Sequence, residues 1–145
     1  MQLAIQKMEG VAAAHPYDAY NHYLLVDIYN LAYDIDPQRY LAAAETQAKI
    51  ALTLSPNRQE ILFSLAKTKS LENDNAAAFA LAKQAFDLDP KVADSHFYYG
   101  MLAFATGKPE IGYQEVKAAL ALRRGWHNFY EARVACDYFA DANHL

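Results

Sequence analysis

Residues 44–60 read AETQAKIALTLSPNRQE and residues 78–94 read AFALAKQAFDLDPKVAD, so the second stretch echoes the first after 34 positions. Ala44, Ala48 and Ala51 precede Pro56 as Ala78, Ala82 and Ala85 precede Pro90. The echo continues downstream, where Leu65 and Ala66 become Tyr99 and Gly100 and Ala85 becomes Ala119. A period of this length holds two helices that cannot bury their apolar faces alone and must stack on their neighbours. The stretch therefore predicts an all-α protein built from repeated helical hairpins.

Taking Gln59 as position one of a unit puts Leu62, Leu65 and Ala66 on one face of its first helix. Ala78, Ala82 and Ala85 line the second helix. Small residues at these positions let paired helices approach closely. Asn73 and Asp74 supply the turn between them and a cap for the following helix. The next unit begins at Ala93, with His96, Tyr99 and Gly100 inward and Gly107 at its turn. Pro109 suits the first turn of its second helix, which buries Gly112, Val116, Ala119 and Leu120. By the same rule Ser55–Pro56 and Asp89–Pro90 predict the starts of new helices.

The first unit departs from the period. Counted from Pro16 it starts at Ala19 and places His22, Leu25, Val26 and Tyr29 inward, which makes the Pro16 to Pro56 interval 40 residues. About six residues are inserted around Leu31 to Asp36, which predicts a prolonged first helix before Asp36–Pro37 restarts the chain. Residues 1–15 form the second helix of an incomplete preceding unit, with Ala4, Met8 and Val11 inward. Its missing first helix points to an irregular cap or to a piece cut from a longer array. The full division is a single domain over 1–145. It comprises a partial unit at 1–15, an irregular repeat at 19–58, repeats at 59–92 and 93–126, and a capping helix at 127–143. Phe129, Tyr130, Val134 and Tyr138 would pack that last helix.

Charge and composition narrow the function. The formal net charge is −4, from 17 acidic and 13 basic side chains, with no long basic segment, so nucleic-acid binding is not expected. Lys117, Arg123 and Arg124, ahead of Gly125, read as a solvated helix end. No run approaches 18 apolar residues and the amino terminus lacks a signal-peptide layout, so this segment is soluble and makes no direct membrane contact. Cys136 is the sole cysteine, which rules out an internal disulfide.

Nothing in the pattern calls for an enzyme, a metal or a cofactor. His22 and Asp18 lie one helical turn apart, but His22 also occupies an inward position, and packing explains it. Asp94 is too near His96 in sequence to share its helical face. Neither histidine belongs to a His-Glu-x-x-His motif. His127 and Cys136 do not have a spacing that establishes a catalytic pair. No glycine-rich loop follows a strand, which removes phosphate and dinucleotide architectures.

The inward residues Leu62, Leu65, Ala66, Ala78, Ala82, Ala85 and Pro90 resemble the tetratricopeptide repeat (TPR) pattern. His96, Tyr99, Gly100, Gly112, Val116 and Ala119 match it again, although Arg124 stands where the closing proline falls. Leu25, Tyr29, Ala44, Ala48, Ala51 and Pro56 match it a third time, with Val26 and the insertion as departures. The resemblance covers residues 19–125 and implies a right-handed TPR superhelix of antiparallel helix pairs, about eight helices in all. Residues 51–66 (ALTLSPNRQEILFSLA) and 34–45 (DIDPQRYLAAAE) also resemble the TPR region of bacterial O-antigen ligase or polymerase-like membrane proteins. That likeness implies a soluble, extracytoplasmic appendage with the glycan chemistry in a membrane part elsewhere.

The TPR resemblance also implies a partner site. In that family the first helix of each pair lines the inner curve, exposing positions two, five, nine and twelve. Here those are Tyr20, Tyr23, Asp27 and Asn30, then Glu60, Phe63, Lys67 and Ser70, then Asp94, Phe97, Met101 and Phe104. Aromatic anchors with a few charges suit a peptide or partner helix. Packing on the last helix explains Phe97, Met101 and Phe104 equally well. Tyr20 and Tyr23 also suit self-association at the front edge, and Glu60 and Lys67 suit ordinary surface charge. The lysine and asparagine pattern of the TPR carboxylate clamp is absent, since Tyr23, Asp27, Phe63, Lys67, Phe97 and Met101 hold its places. The expected function is a protein-binding scaffold, with a structural module stacking on another domain or on itself as the alternative.

Overall fold

The computed structural model describes residues 1–122. They form seven α-helices and no strand: α1 (Gln2–Ala14), α2 (Ala19–Ala32), α3 (Pro37–Leu54), α4 (Gln59–Leu71), α5 (Asn75–Leu88), α6 (Ala93–Ala105) and α7 (Pro109–Leu122). The capping helix expected at 127–143 lies outside the described residues, as do Arg123, Arg124, His127 and Cys136.

Short polar signals cut the chain into these helices. Asp18, Asp36 and Asp74 each cap a helix by accepting a backbone N–H, from Tyr20, Arg39 and Ala77 respectively. Asn73 adopts φ 63° at the α4–α5 turn and Gly107 adopts φ 76° at the α6–α7 turn, where a left-handed residue is required. Pro109 and Pro37 occupy first-turn positions of α7 and α3. Pro56 and Pro90 do not. Each sits in a four-residue connection, after the C-caps Ser55 and Asp89, and the next helix starts three residues later at Gln59 or Ala93. There the missing N–H of proline stops the preceding helix instead of opening the following one.

Helices pair as α2 with α3, α4 with α5 and α6 with α7. The first helices also touch in series, α2 to α4 and α4 to α6, with no comparable contact from α3 to α5 or from α5 to α7. The stack therefore curves with α2, α4 and α6 inside. Within each pair the small residues do what the spacing predicts. Ala44, Ala48, Ala51, Ala66, Ala78, Ala82, Ala85 and Ala119 are completely buried. A Cβ on Gly100 would meet the Gly112 carbonyl oxygen at 3.0 Å, so α6 and α7 touch backbone to backbone.

Two registers differ from expectation. The extra residues of the first repeat scarcely lengthen α2, which has 14 residues against 13 in α4 and α6. They extend α3 instead, to 18 residues against 14 in α5 and α7. Asp36–Pro37 is a strong start signal, and the added turn carries Tyr40 into the core, stacked on Tyr29 at 5.9 Å. In α1 the buried residues are Ile5 and Ala12, with Met8 partly covered, while Ala4 and Val11 are exposed. The reason lies in the stacking. Counted from the helix end, Ile5 and Ala12 match Phe79 and Phe86, which face the following first helix through Tyr99. Ala4 and Val11 match Ala78 and Ala85, which face their own first helix, and no described helix stands there for α1.

Candidate partner-binding groove

The inner curve holds a groove of about 570 Å³ that runs across α2, α4 and α6. Its lining falls into three layers along the helix axes. Tyr23, Phe63, Phe97 and Tyr98 form an aromatic layer, with Glu60 and Ser64 beside it. Asp27, Lys67 and Met101 come next, one turn down each helix, and Leu31, Leu71 and Ala105 close the far end. Helical spacing produces these layers directly, because residues four apart share a face.

Of the residues expected from sequence, Tyr23, Asp27, Glu60, Phe63, Lys67, Ser70, Phe97 and Met101 line this groove. Phe63 and Phe97 form its floor and are themselves buried in the helical core. Asn30 is a correction. It is only 2% exposed, its Nδ2 donates to the Ser64 carbonyl at 3.0 Å, and its Oδ1 accepts from Thr68 Oγ1 at 2.9 Å. Asn30 thus ties α2 to α4 beneath the surface, since the close contact of first helices covers its position. Phe104 is a second correction. Its ring lies over Gly112 of α7, in the space a Cβ there would take. Tyr20 and Asp94 are exposed outside the groove lining; Tyr20 lies 5.8 Å from the Tyr23 ring and 5.3 Å from the Arg58 guanidinium.

Sequence reasoning missed Tyr98 and Leu31, which are 50% and 63% exposed, and the flanking Leu71 and Ala105. Tyr98 follows Phe97 at position six, and Leu31, Leu71 and Ala105 all stand at position thirteen. An exposed aromatic or leucine next to an inner-curve position was the available signal. The rings form a continuous strip, with Tyr98 5.5 Å from both Phe63 and Phe97.

Polar groups in the groove are unevenly satisfied. Asp27 accepts from Ser64 Oγ at 2.5 Å, and the Tyr23 phenol lies near enough to feel its charge. Burial, reinforced by the Asp27 charge, pushes the Tyr23 phenol well above its usual range. Glu60 pairs with Arg58 at 3.6 Å. Lys67 is exposed and, among the described residues, makes no ion pair or hydrogen bond.

His22 and His96 serve packing. His22 Nδ1 lies 2.6 Å from Gln47 Oε1 and its Nε2 3.0 Å from the Pro16 carbonyl oxygen, so it joins α2 to α3 and to the preceding loop rather than pairing with Asp18. His96 Nδ1 meets Glu115 at 2.6 Å between α6 and α7. Among the described residues no three His, Cys, Asp or Glu side chains converge as a metal site, and no helix is long and apolar enough to cross a membrane.

No protein-family profile and no curated protein matches the chain in sequence. Solved structures do match. A thermophilic TPR protein of Thermus thermophilus, TTC0263, aligns with a TM-score of 0.79 at 20% identity, over 98% of this chain and 72% of that one. Two structures of MamA align at TM-scores of 0.65 and 0.58, both at 17% identity, over 96% and 95% of this chain and 76% of theirs. The chain thus has the all-helical TPR superhelical fold. None of these neighbours is named for glycan ligation, and the finer likeness to O-antigen ligase regions gains no support from them.

Proposed function

We propose that this protein is a non-catalytic interaction scaffold that binds a peptide or partner helix along its inner curve. The observation that carries this reading is the aromatic groove crossing α2, α4 and α6, which leaves Tyr98 half exposed beside buried rings. A ring held by neighbours loses little freedom on binding and offers a large apolar face. Tyr23, Asp27, Glu60, Phe63, Lys67, Phe97 and Met101 are the proposed contact residues, with the repeat units taken as 19–58, 59–92 and 93–126. To test this, twelve-residue peptides are selected from a random display library on the wild-type chain. They are then titrated against Tyr98→Ala and against Gln114→Ala, an exposed change on α7 outside the groove. Weakened binding by Tyr98→Ala alone is the expected result; equal binding to both variants removes the groove.

A second reading has its own observation, the open Ala4–Val11 line of α1. Its counterpart in α5 is fully buried beneath a first helix. We propose that this edge stacks on a neighbouring helical unit, including that of a second copy. Attachment to a membrane glycan ligase is one setting in which such stacking operates. Light scattering over a concentration series, with Val11→Glu as the disrupting change, tests self-association. A wild-type mass that stays monomeric throughout rules it out.

A further inference from the structure

The groove lining contains two acids and one base, and the chain as a whole is acidic, which at first sight favours a basic ligand. The partners these groups already have point the other way. The Asp27 carboxylate already accepts from Ser64 Oγ, and Glu60 lies 3.6 Å from the Arg58 guanidinium. Of these three groups only Lys67 makes no ion pair or hydrogen bond among the described residues. A bound ligand covers part of its water, and an ammonium losing water is destabilised unless it gains an anionic partner. A basic ligand side chain would meet carboxylates whose lone pairs are partly committed, and would also face Lys67 itself.

Resting on the groove reading above, we propose that the ligand is a peptide segment with one acidic side chain at Lys67, flanked by apolar residues on both sides. The flanks follow from the stripe Phe63–Lys67–Leu71 on α4, in which the charge sits one turn from an aromatic residue and one turn from a leucine. One turn of helix rises about 5.4 Å. An extended peptide covers that distance in about two residues and a helical one in about four. The ligand's apolar anchors therefore stand within four positions of its acid.

The test uses the full chain and the same random twelve-residue library. Peptides enriched on wild type should carry Asp or Glu between apolar residues, and selection on Lys67→Glu should shift that place to Lys or Arg. For one enriched peptide, Lys67→Glu should weaken binding about tenfold, the scale of exchanging one partly shielded attraction for a repulsion. Changing the peptide's acid to lysine should restore binding to Lys67→Glu. Lys67 is exposed, and circular dichroism of the variant checks that the fold is kept. Neutral or basic peptides, or a charge swap that restores nothing, overturn the acidic-ligand rule. The groove itself stands in that case if Tyr98→Ala still weakens binding. If Tyr98→Ala has no effect on any enriched peptide, the groove reading falls and takes this inference with it.

Discussion

Gly100→Ala and Gly10→Ala make the same chemical change in two helices and should move stability in opposite directions. In an unobstructed helix, alanine improves on glycine by about 1 kcal/mol, because glycine loses more backbone freedom on folding. Gly10 in α1 has nothing within 4 Å of a built Cβ, so it should show that gain. At Gly100 the new Cβ would lie 2.8 Å from Val116 Cγ2, 3.0 Å from the Gly112 carbonyl oxygen and 3.1 Å from the Val116 amide nitrogen. Two of these three atoms are backbone, so no side-chain rotation relieves the contact. α6 must move away from α7, opening the seam that Val116 and Ala119 fill. Overpacking of a tight core costs about 1–3 kcal/mol. Setting the helix-propensity gain of about 1 kcal/mol against the middle of that range leaves a net loss of about 1 kcal/mol. In a thermal scan that is about 3 °C for a chain of this size. Urea unfolding followed by circular dichroism should therefore place the Gly100→Ala midpoint below wild type and the Gly10→Ala midpoint above it. A Gly100→Ala protein as stable as Gly10→Ala would refute the backbone contact between α6 and α7.

Ala66→Leu adds three carbons at a site with no exposed surface and should cost about 1–3 kcal/mol in the same assay; a stability equal to wild type would contradict the repeat register. Asn30→Ala should lose about 1–3 kcal/mol, because it leaves Thr68 without its asparagine acceptor and removes a buried tie to the Ser64 carbonyl. A neutral outcome would mean that Asn30 is not held between α2 and α4. Asp74→Ala removes the cap on the Ala77 amide and should cost about 1 kcal/mol, whereas Asp74→Asn should cost much less. Glu45 is held below the usual glutamate range by hydrogen bonds from Lys49 and Lys69. A carboxyl whose folded pKa is depressed stabilises the fold above its unfolded pKa, and that contribution is lost as pH falls through the folded value. Glu45→Gln should accordingly narrow the stability gap between neutral and acidic pH; an unchanged profile would show that the lysines do not hold it.

What was readable in the sequence was what recurs. The alanines at 44, 48, 51, 78, 82 and 85 have no role except close approach, so their period revealed the pairs and the buried faces together. Asn73, Asp74, Gly107 and Pro109 were equally legible, because caps and left-handed turns depend on local chemistry alone. Legibility failed where a residue's surroundings come from another unit. Asn30 looks like an inner-curve surface residue until α4 is laid against α2 and closes over it. Phe104 shares its helix face with groove residues, yet the missing side chain of Gly112 draws its ring toward α7. Tyr98 is the opposite case, a residue outside the four inner-curve positions that nevertheless lines the groove half exposed.

The irregular first repeat and the offset register of α1 meet in one seam. An interior second helix is covered on two faces, by its own first helix and by the next. Among the described residues α1 is covered on one, against α2, and its buried residues are those on that side. The added turn of α3 then brings Tyr40 over the same seam, where it joins Ile5, Ala12 and Tyr29 in one cluster. Glu9 fastens the arrangement by accepting the Tyr29 hydroxyl at 2.7 Å, and burial with that carboxylate nearby raises the Tyr29 phenol well above its ordinary range. The front of the stack thus gains from α3 apolar contact that a regular repeat lacks. Tyr40→Ala should consequently cost more than truncating a comparably sized exposed ring such as Tyr17, by about 3 kcal/mol on the scale of aromatic core deletions. Its loss should also loosen α1 before the later helices, which hydrogen exchange resolved helix by helix would detect. Uniform loosening across α1 to α7 would show that Tyr40 supports the whole stack rather than its front edge.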